Sequence, residues 1–451
     1  MSELTIEWIT LPFIIGFSVY LFPRVARQLT LASTVISAIY ALPWLLGDMP
    51  LTLNFLGSFG VTLTIDTASG YFSLTNAIVT ATVVLYCWTL GKSAYFFTQV
   101  VILHGCVNAI FICADLISLY VALEVVSIAA FLLISYPRTN RSIWVALRYL
   151  FISNTAMLFY LIGAVIVYQS QHSFAYTGLA TAPPDGIALL FLGLLTKGGV
   201  FISGLWLPFT HSESDTPVSA LLSGIVVKTG IFPLLRFAAI APSVVPILQI
   251  FGAGTALLGS CYAIAARDTK RLLAFSTISQ LGFILTAPQV GGFYALAHGL
   301  VKAALFLLAG STLPSREFKV LRQTPIATTT WMALVITSLS ISGFPLLAGF
   351  GAKVAVTKAL LPWQGLVMNL AALGTATAFA KFIFLPYQNR GQGSQKAGVW
   401  VAIALPIGGL AIANGFYWQA YTVENVLKAI AIVGGGWLVH FAIARYLTFE
   451  P

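Results

Sequence analysis

Charge is what this sequence lacks. Only 8% of its 451 residues are Asp, Glu, Lys or Arg, against 59% hydrophobic. A soluble domain needs roughly a quarter of its residues charged to cover its surface, so this chain must face lipid over most of its area. Cysteine is nearly absent too. Cys87, Cys106, Cys113 and Cys261 sit singly in apolar segments, without the CxxC pairs of an iron–sulfur or zinc site, so neither metal nor cofactor is expected. No GxGxxG turn is present, nor paired haem histidines. His104 and His172 read as isolated structural or interfacial residues. These absences argue against a redox enzyme acting alone, which an optical spectrum showing flavin or haem would revive. No polar stretch is long enough for a second domain. The expectation is one membrane domain over 1–451.

Apolar runs, by contrast, recur from end to end, each near the roughly 20 residues that cross a bilayer. Spans are expected at 4–22, 29–46, 67–90, 95–113, 116–136, 142–168, 187–209, 216–240, 246–266, 270–288, 291–313, 327–360, 364–386, 397–417 and 425–447. The first has Glu3 and Glu7 at its N-terminal end, where a signal peptide needs positive charge, and is read as a span. The 327–360 segment is too long for one straight crossing and contains Gly343-Phe344-Pro345, so it reads as a helix broken in mid-membrane. The 187–209 segment, with Gly198-Gly199 and Gly204, reads the same way. The fold class is therefore all-α and polytopic, with about 14–15 transmembrane helices.

The basic residues test the count. Loops after odd-numbered spans carry Arg24, Arg27, Lys92, Arg138, Arg141, Arg267, Lys270, Arg271, Arg316, Lys319, Arg322, Arg390 and Lys396, with Arg148 and Arg445 on the same side. The other side holds Arg236, Lys358 and Lys428. By the positive-inside rule this places the N-terminus outside and the C-terminus in the cytoplasm. It also accounts for the net charge of +10 without nucleic acid, for which no loop is long enough.

Five of the 23 basic residues remain at membrane depth: Lys197, Lys228, Lys302, Lys353 and Lys381. Glu124 and His298 accompany them. A lysine at a helix centre costs about 2.5–3.5 kcal/mol on insertion scales, so these five are expected to face a polar interior. Snorkelling or internal pairing would explain one of them taken singly better than it explains the set. Burial disfavours an ammonium and a nearby carboxylate favours it, each pKa unit being worth about 1.4 kcal/mol. Moving one carboxylate could thus load or release a proton. Glu124, well inside a span, is the natural modulator. His298 and Lys302, four apart, share a helix face, and a histidine passes protons at either nitrogen. Alone, His298 would read equally well as a satisfied interior residue.

The lysine spacing suggests a duplication. Lys197 and Lys228 lie on spans seven and eight, Lys353 and Lys381 on spans twelve and thirteen. Spans four to eight and nine to thirteen would be two five-helix units, inverted because five is odd, an architecture common in ion-coupled transporters. The subdivision is then 1–90 N-terminal helices, 95–240 first repeat, 246–386 second repeat, and 397–451 C-terminal helices.

Residues 195–236 read LTKGGVFISGLWLPFTHSESDTPVSALLSGIVVKTGIFPLLR. Then come RDTKRLLAFSTISQLGF (267–283), ALAHGLVKAALFLLAGS (295–311) and ISGFPLLAGFGAKVAV (341–356). In this order the blocks resemble the proton-conducting antiporter-like subunits of respiratory complex I and of Mrp-type Na+/H+ antiporters, closest to the D-type Mrp subunit or the fourth complex I subunit. The resemblance implies that Glu124 is the fifth-helix glutamate and Lys197 the seventh-helix lysine that pairs with it. Lys228 becomes the channel-centre lysine, and Lys353 the gating residue of the broken twelfth helix. His298 and Lys302 fall in the eleventh-helix block. Lys381 rests on the repeat argument. Departures are Leu123 where relatives have Trp, Phe209-Thr210-His211 in place of Asp-Ala-His, and Gln280 where several have histidine; TISQ (277–280) resembles the largest antiporter-like subunit of complex I, which has histidine where Lys228 stands. The lateral helix of that subunit is missing, and a fifteenth span is untypical of either subtype.

The implied function is translocation of H+, or Na+/H+ exchange, by a Lys/Glu/His relay. The chain would be one membrane subunit of an Mrp-type or complex I-like assembly, the latter an NADH/ferredoxin:quinone oxidoreductase, or of a carbon dioxide-uptake relative, and not an enzyme alone. The implied setting is a prokaryotic inner or thylakoid membrane. The alternative is a non-conducting structural subunit, which the retained buried charges argue against.

Overall fold

The computed structural model describes residues 2–47, 49–55, 60–389 and 397–446. Two of the counted loop cations, Arg390 and Lys396, lie outside them. The chain opens with α1 (Ser2–Leu21) and α2 (Ala26–Leu45). An antiparallel hairpin, β1 (Leu51–Asn54) and β2 (Thr62–Ile65), leads into α3 (Thr67–Cys87). Next come α4 (Ala94–Ile110), α5 (Leu116–Ile134) and α6 (Asn140–Gln171). One broken span is made of α7 (Pro184–Lys197) and α8 (Leu207–Glu213). The following span joins α9 (Thr216–Leu221) to α10 (Lys228–Ile240) through a π turn, Leu222–Val226. Then follow α11 (Val245–Ala265), α12 (Thr269–Thr286), α13 (Gly291–Ser311) and the short α14 (Phe318–Leu321). A second broken span is α15 (Thr328–Ser342) with α16 (Ala348–Lys358), followed by α17 (Pro362–Ile383). Around these, β3 (Ile326–Ala327) pairs in parallel with β4 (Tyr387–Gln388). The last two are α18 (Ala397–Gly415) and α19 (Val423–Tyr446).

Each of the fifteen expected spans is a helix or a pair of half-helices, and twelve are long and apolar enough to cross a membrane unaided. The others are the short α4, the divided α15–α16, and α12, which carries Lys270 and Arg271. Helix starts follow from side-chain caps. Asp66, Asp115 and Asp268 accept from the backbone N–H three residues on, at 3.0, 2.7 and 2.8 Å, pairing donors that a helix start leaves free. The breaks follow from backbone chemistry. Gly343 closes α15 at φ +84, the left-handed conformation glycine tolerates, and Pro345 denies α15 a continuation.

Contacts between loops confirm the alternation of ends. Lys92 bonds Asp215 (2.6 Å), Arg141 bonds Glu213 (3.4 Å) and Arg316 bonds Asp268 (2.9 Å), gathering the odd-numbered loops at one end. At the other, Arg236 grips Asp66 with both guanidinium nitrogens, and Asp115 accepts from Thr62 N at 2.9 Å. Spans four to eight therefore start at the opposite end from spans nine to thirteen, and the fourth span is the broken one in both units. The α9–α10 and α13 spans are wholly buried at the centre, while α19 is at the rim.

Candidate functional site

Span seven stops on Lys197, where Gly198 and Gly199 turn the chain away. The opened backbone is paired internally, as membrane depth requires. Trp206 Nε1 donates to Thr196 O and Phe201 N to Thr255 Oγ1, both at 2.9 Å. The buried Lys197 amine donates to Leu123 O (3.2 Å), to Ser153 Oγ (2.6 Å) and to Ser127 Oγ. Its three N–H groups thus meet three oxygens. The Glu124–Lys197 ion pair implied by the resemblance is not formed among the described residues, because the amine takes the carbonyl of the residue before the glutamate. Glu124 is only half-buried, on the α5 face it shares with exposed Val121 and Ile128, and its Oε1 is enclosed without a partner.

Lys228 follows the π turn after one residue, Val227, and such an irregularity often marks functional sites. Its fully buried amine reaches back to Gly224 O (2.5 Å) and Ser223 O (3.4 Å). A Cβ added at Gly299 would sit 3.6 Å from this nitrogen, so it lies against α13. On α13 Tyr294, His298 and Lys302 recur every four residues and share one face. Tyr294 OH donates to Gln280 Oε1 at 2.6 Å, and the fully buried Lys302 amine donates to Leu273 O (2.8 Å) and Ser276 Oγ. Between these pairs, buried His298 has no protein partner at either ring nitrogen. It lines a cavity of ≈ 10 Å³ with Gln280, Tyr294 and Ser340, near the lower limit for one water.

His211, quoted in the sequence only as part of the WLP block, is also fully buried, its ring facing the main chain of Leu207 and Leu222 without a well-formed hydrogen bond among the described residues. It stands within electrostatic reach of Lys228 and Lys302. Its ring is 6.3 Å from that of Trp206, which in turn lies 5.5 Å from Tyr149, beside Lys197. The sequence signal was a histidine in the half-helix LPFTHSE, two residues before Glu213.

On the far flank, partly buried Lys353 donates to Ser342 O at 3.1 Å, placing an ammonium at the negative end of half-helix α15. Phe283, 5.1 Å from this amine, stacks on Tyr294 at 5.6 Å. Lys381 does not join the group. It stands in the last turn of α17, partly buried, donating to Ile264 O (2.5 Å) and Ala266 O (2.8 Å) where α11 ends. Lys228 and Lys381, paired by spacing, therefore sit at different depths, because helix-end carbonyls hold the second near the odd-loop end. Lys270, counted as a loop cation, is 5% exposed and donates to Ser214 O at 2.9 Å.

One chemical rule covers all five predicted lysines: each donates to a main-chain carbonyl and, among the described residues, none to a carboxylate. Carbonyl dipoles hold an ammonium without fixing it as an ion pair. Glu124, Lys197, His211, Lys228, Lys302, His298 and Lys353 follow one another from the α5 flank to α16 as a seam of ionisable groups, with the rings of Tyr149, Trp206, Tyr294 and Phe283 among them. Among the described residues no group of three His, Cys, Asp or Glu side chains could hold a metal.

The chain is similar to the D-type subunit of the Na(+)/H(+) antiporter of Alkalihalophilus pseudofirmus, 27% identical over 92% of this chain and 94% of that protein. It is 34% identical to the N-type subunit of the NADH-quinone oxidoreductase of Desulforudis audaxviator over 53% of each chain. Its fold matches a chain of the Mrp complex from Dietzia sp. DQ12-45-1b with a TM-score of 0.81, at 19% identity, covering 98% of this chain and 99% of that one. A chain of the archaeal membrane-bound sulfane sulfur reductase matches at 0.82, with 20% identity, covering 97% and 98%. The family model "NADH:quinone oxidoreductase/Mrp antiporter, TM" fits residues 113–379, which include every seam residue named above. This chain belongs to the NADH:quinone oxidoreductase/Mrp antiporter transmembrane family.

Proposed function

We propose that this chain conducts protons, alone or in exchange for Na+, as one subunit of a multi-subunit membrane complex. The observation that carries the proposal is the seam of amines hung on carbonyl and hydroxyl oxygens, with no carboxylate among the described residues to lock them. A purely structural subunit gains nothing from amines that cost about 2.5–3.5 kcal/mol each to insert. In this reading Lys197, Lys228, Lys302 and Lys353 take up and release the proton, His211 passes it from Lys197 to Lys228, His298 passes it from Lys302 toward Lys353, and Glu124 biases Lys197 through space. Lys381 serves the odd-loop end.

Family membership supports a place among other membrane subunits, and the near full-length similarity to a D-type antiporter subunit favours an Mrp-type assembly. The flanks fit this. Glu124, half-buried with an unpartnered oxygen, and partly buried Lys353 sit where neighbouring subunits would complete their polar contacts. We assign the odd-loop end to the cytoplasm of a prokaryotic inner or thylakoid membrane, from the excess of Lys and Arg there. The test is Lys228→Ala in the whole complex reconstituted into vesicles. Ion-coupled proton flux is expected to vanish with subunit content unchanged. Normal flux would leave the non-conducting reading in its place.

A further inference from the structure

We propose that Ser223 and Thr277 are the relay pair that hands a proton from the first five-span unit to the second. This rests on the conducting function above. Lys228 belongs to the eighth span and Lys302 to the eleventh, both fully buried, and no hydrogen bond joins their amines. Each hangs from a carbonyl, and a pair of hydroxyls connects the two anchor points. Ser223 Oγ lies 2.7 Å from Thr277 Oγ1, and Thr277 Oγ1 is 2.9 Å from Leu273 O, the carbonyl that holds Lys302. On the other side, Ser223 O is 3.4 Å from the Lys228 amine. Both hydroxyl residues are fully buried.

Hydrogen-bond counting sets the direction. A hydroxyl has one proton to give. With that of Thr277 on Leu273 O, Ser223 donates to Thr277 and keeps its own lone pairs to accept a proton, while its carbonyl lies 3.4 Å from the Lys228 amine. Hydroxyls also act as simple glue between membrane helices, and Thr277 bonding back four residues is ordinary. Ser223 differs. It lies in the π turn, and among the described residues its hydroxyl makes one bond, the one that crosses between the units.

The step balances. An N–H bond of the Lys228 ammonium breaks as Ser223 Oγ takes the proton. Ser223 passes its own proton to Thr277 Oγ1, and Thr277 turns its own from Leu273 O to the lone pair of a neutral Lys302. Lys228 loses one proton, Lys302 gains one, and both hydroxyls are restored. Each amine exchanges a carbonyl for a hydroxyl on the same or a neighbouring turn.

The test uses the whole complex in vesicles with Thr277→Val, Ser223→Ala and Thr277→Ser. Loss of a proton-transfer group is expected to cut flux about 100-fold in the first two, with subunit content unchanged, while Thr277→Ser keeps both the rate and the wild-type H2O/D2O rate ratio. Wild-type flux in Thr277→Val would overturn the proposal. So would an equal loss in Thr277→Ser, which would assign the pair to packing. Should the valine variant fail to assemble, the smaller Ser223→Ala change decides by the same criterion. Lys228→Ala, measured alongside, separates the two levels. If it conducts, the conducting function itself fails; if it is silent while Thr277→Val conducts, only the hydroxyl relay falls.

Discussion

Removing both hydroxyls around Lys197, in a Ser127→Ala/Ser153→Ala double variant, should stop the chain from loading a proton there. The ammonium has three N–H donors and three oxygen acceptors, Leu123 O at 3.2 Å, Ser153 Oγ at 2.6 Å and Ser127 Oγ. The two hydroxyls also bond each other at 2.9 Å, so they form one preassembled cradle. A hydrogen bond to a charged group contributes about 1.5–3 kcal/mol. Losing two leaves the charged form short by roughly 3–6 kcal/mol, while the neutral amine, with fewer donors to pair, loses less. With neutral hydrogen bonds worth about 0.5–1.5 kcal/mol each, the net loss is about 2–3 kcal/mol, and at about 1.4 kcal/mol per factor of ten the ratio of charged to neutral amine falls roughly 30- to 100-fold. The substitutions remove one oxygen each and leave the helix backbone unchanged, so assembly should survive. The assay is ion-coupled acidification of vesicles holding the complete complex, with subunit content measured in parallel. The matching Ser127→Thr/Ser153→Thr variant, which keeps both hydroxyls, should retain flux. Wild-type flux in the double alanine variant would refute the idea that this amine carries the proton.

Three further outcomes follow from the geometry. In Gly349→Ala the new Cβ would overlap Ser340 O, so the halves of span twelve must part. A cost at the upper end of overpacking, about 3 kcal/mol, should appear as a lower melting temperature of the purified complex and lost flux. Lys353→Met should abolish flux, whereas Lys381→Met, remote from the seam, should slow it less than about tenfold. Asp66→Asn removes the charge from the bidentate Arg236 contact at the even-loop end. It should lower thermal stability by about 1.5–3 kcal/mol and spare transport, so a specific transport loss would contradict a structural role.

The sequence revealed most of the fold because membranes punish irregularity. An unpaired backbone group or a charge is expensive in hydrocarbon, so Gly198-Gly199, Gly343-Phe344-Pro345 and the five lysines stood out against apolar surroundings, and all fifteen spans were legible. Acceptor groups were not. Main-chain carbonyls carry no sequence code, and the expectation that a carboxylate would hold Lys197 gave way to Leu123 O and two serines. The π turn at Leu222–Val226 is likewise silent in sequence, although it sets the carbonyls around Lys228. Depth was misjudged in Lys381, which the repeat argument placed beside Lys228 and which stands near a helix end, whereas Lys270 lies at the odd-loop end as expected but is buried there. His104 read as isolated, yet it bonds Ser37 at 2.8 Å, which accepts from Trp8 at 3.0 Å and Asn108 at 3.2 Å. Those residues are far apart in the chain and meet only when α1, α2 and α4 pack.

The central claim is that the amines act in series, and comparing single with double substitutions tests it most directly. Proton flux should fall to the same floor in Lys197→Met, in Lys353→Met and in the combined variant, because one gap already breaks the path. Partial losses that multiply in the double variant would mean parallel routes, and flux that survives both would mean the seam does not conduct.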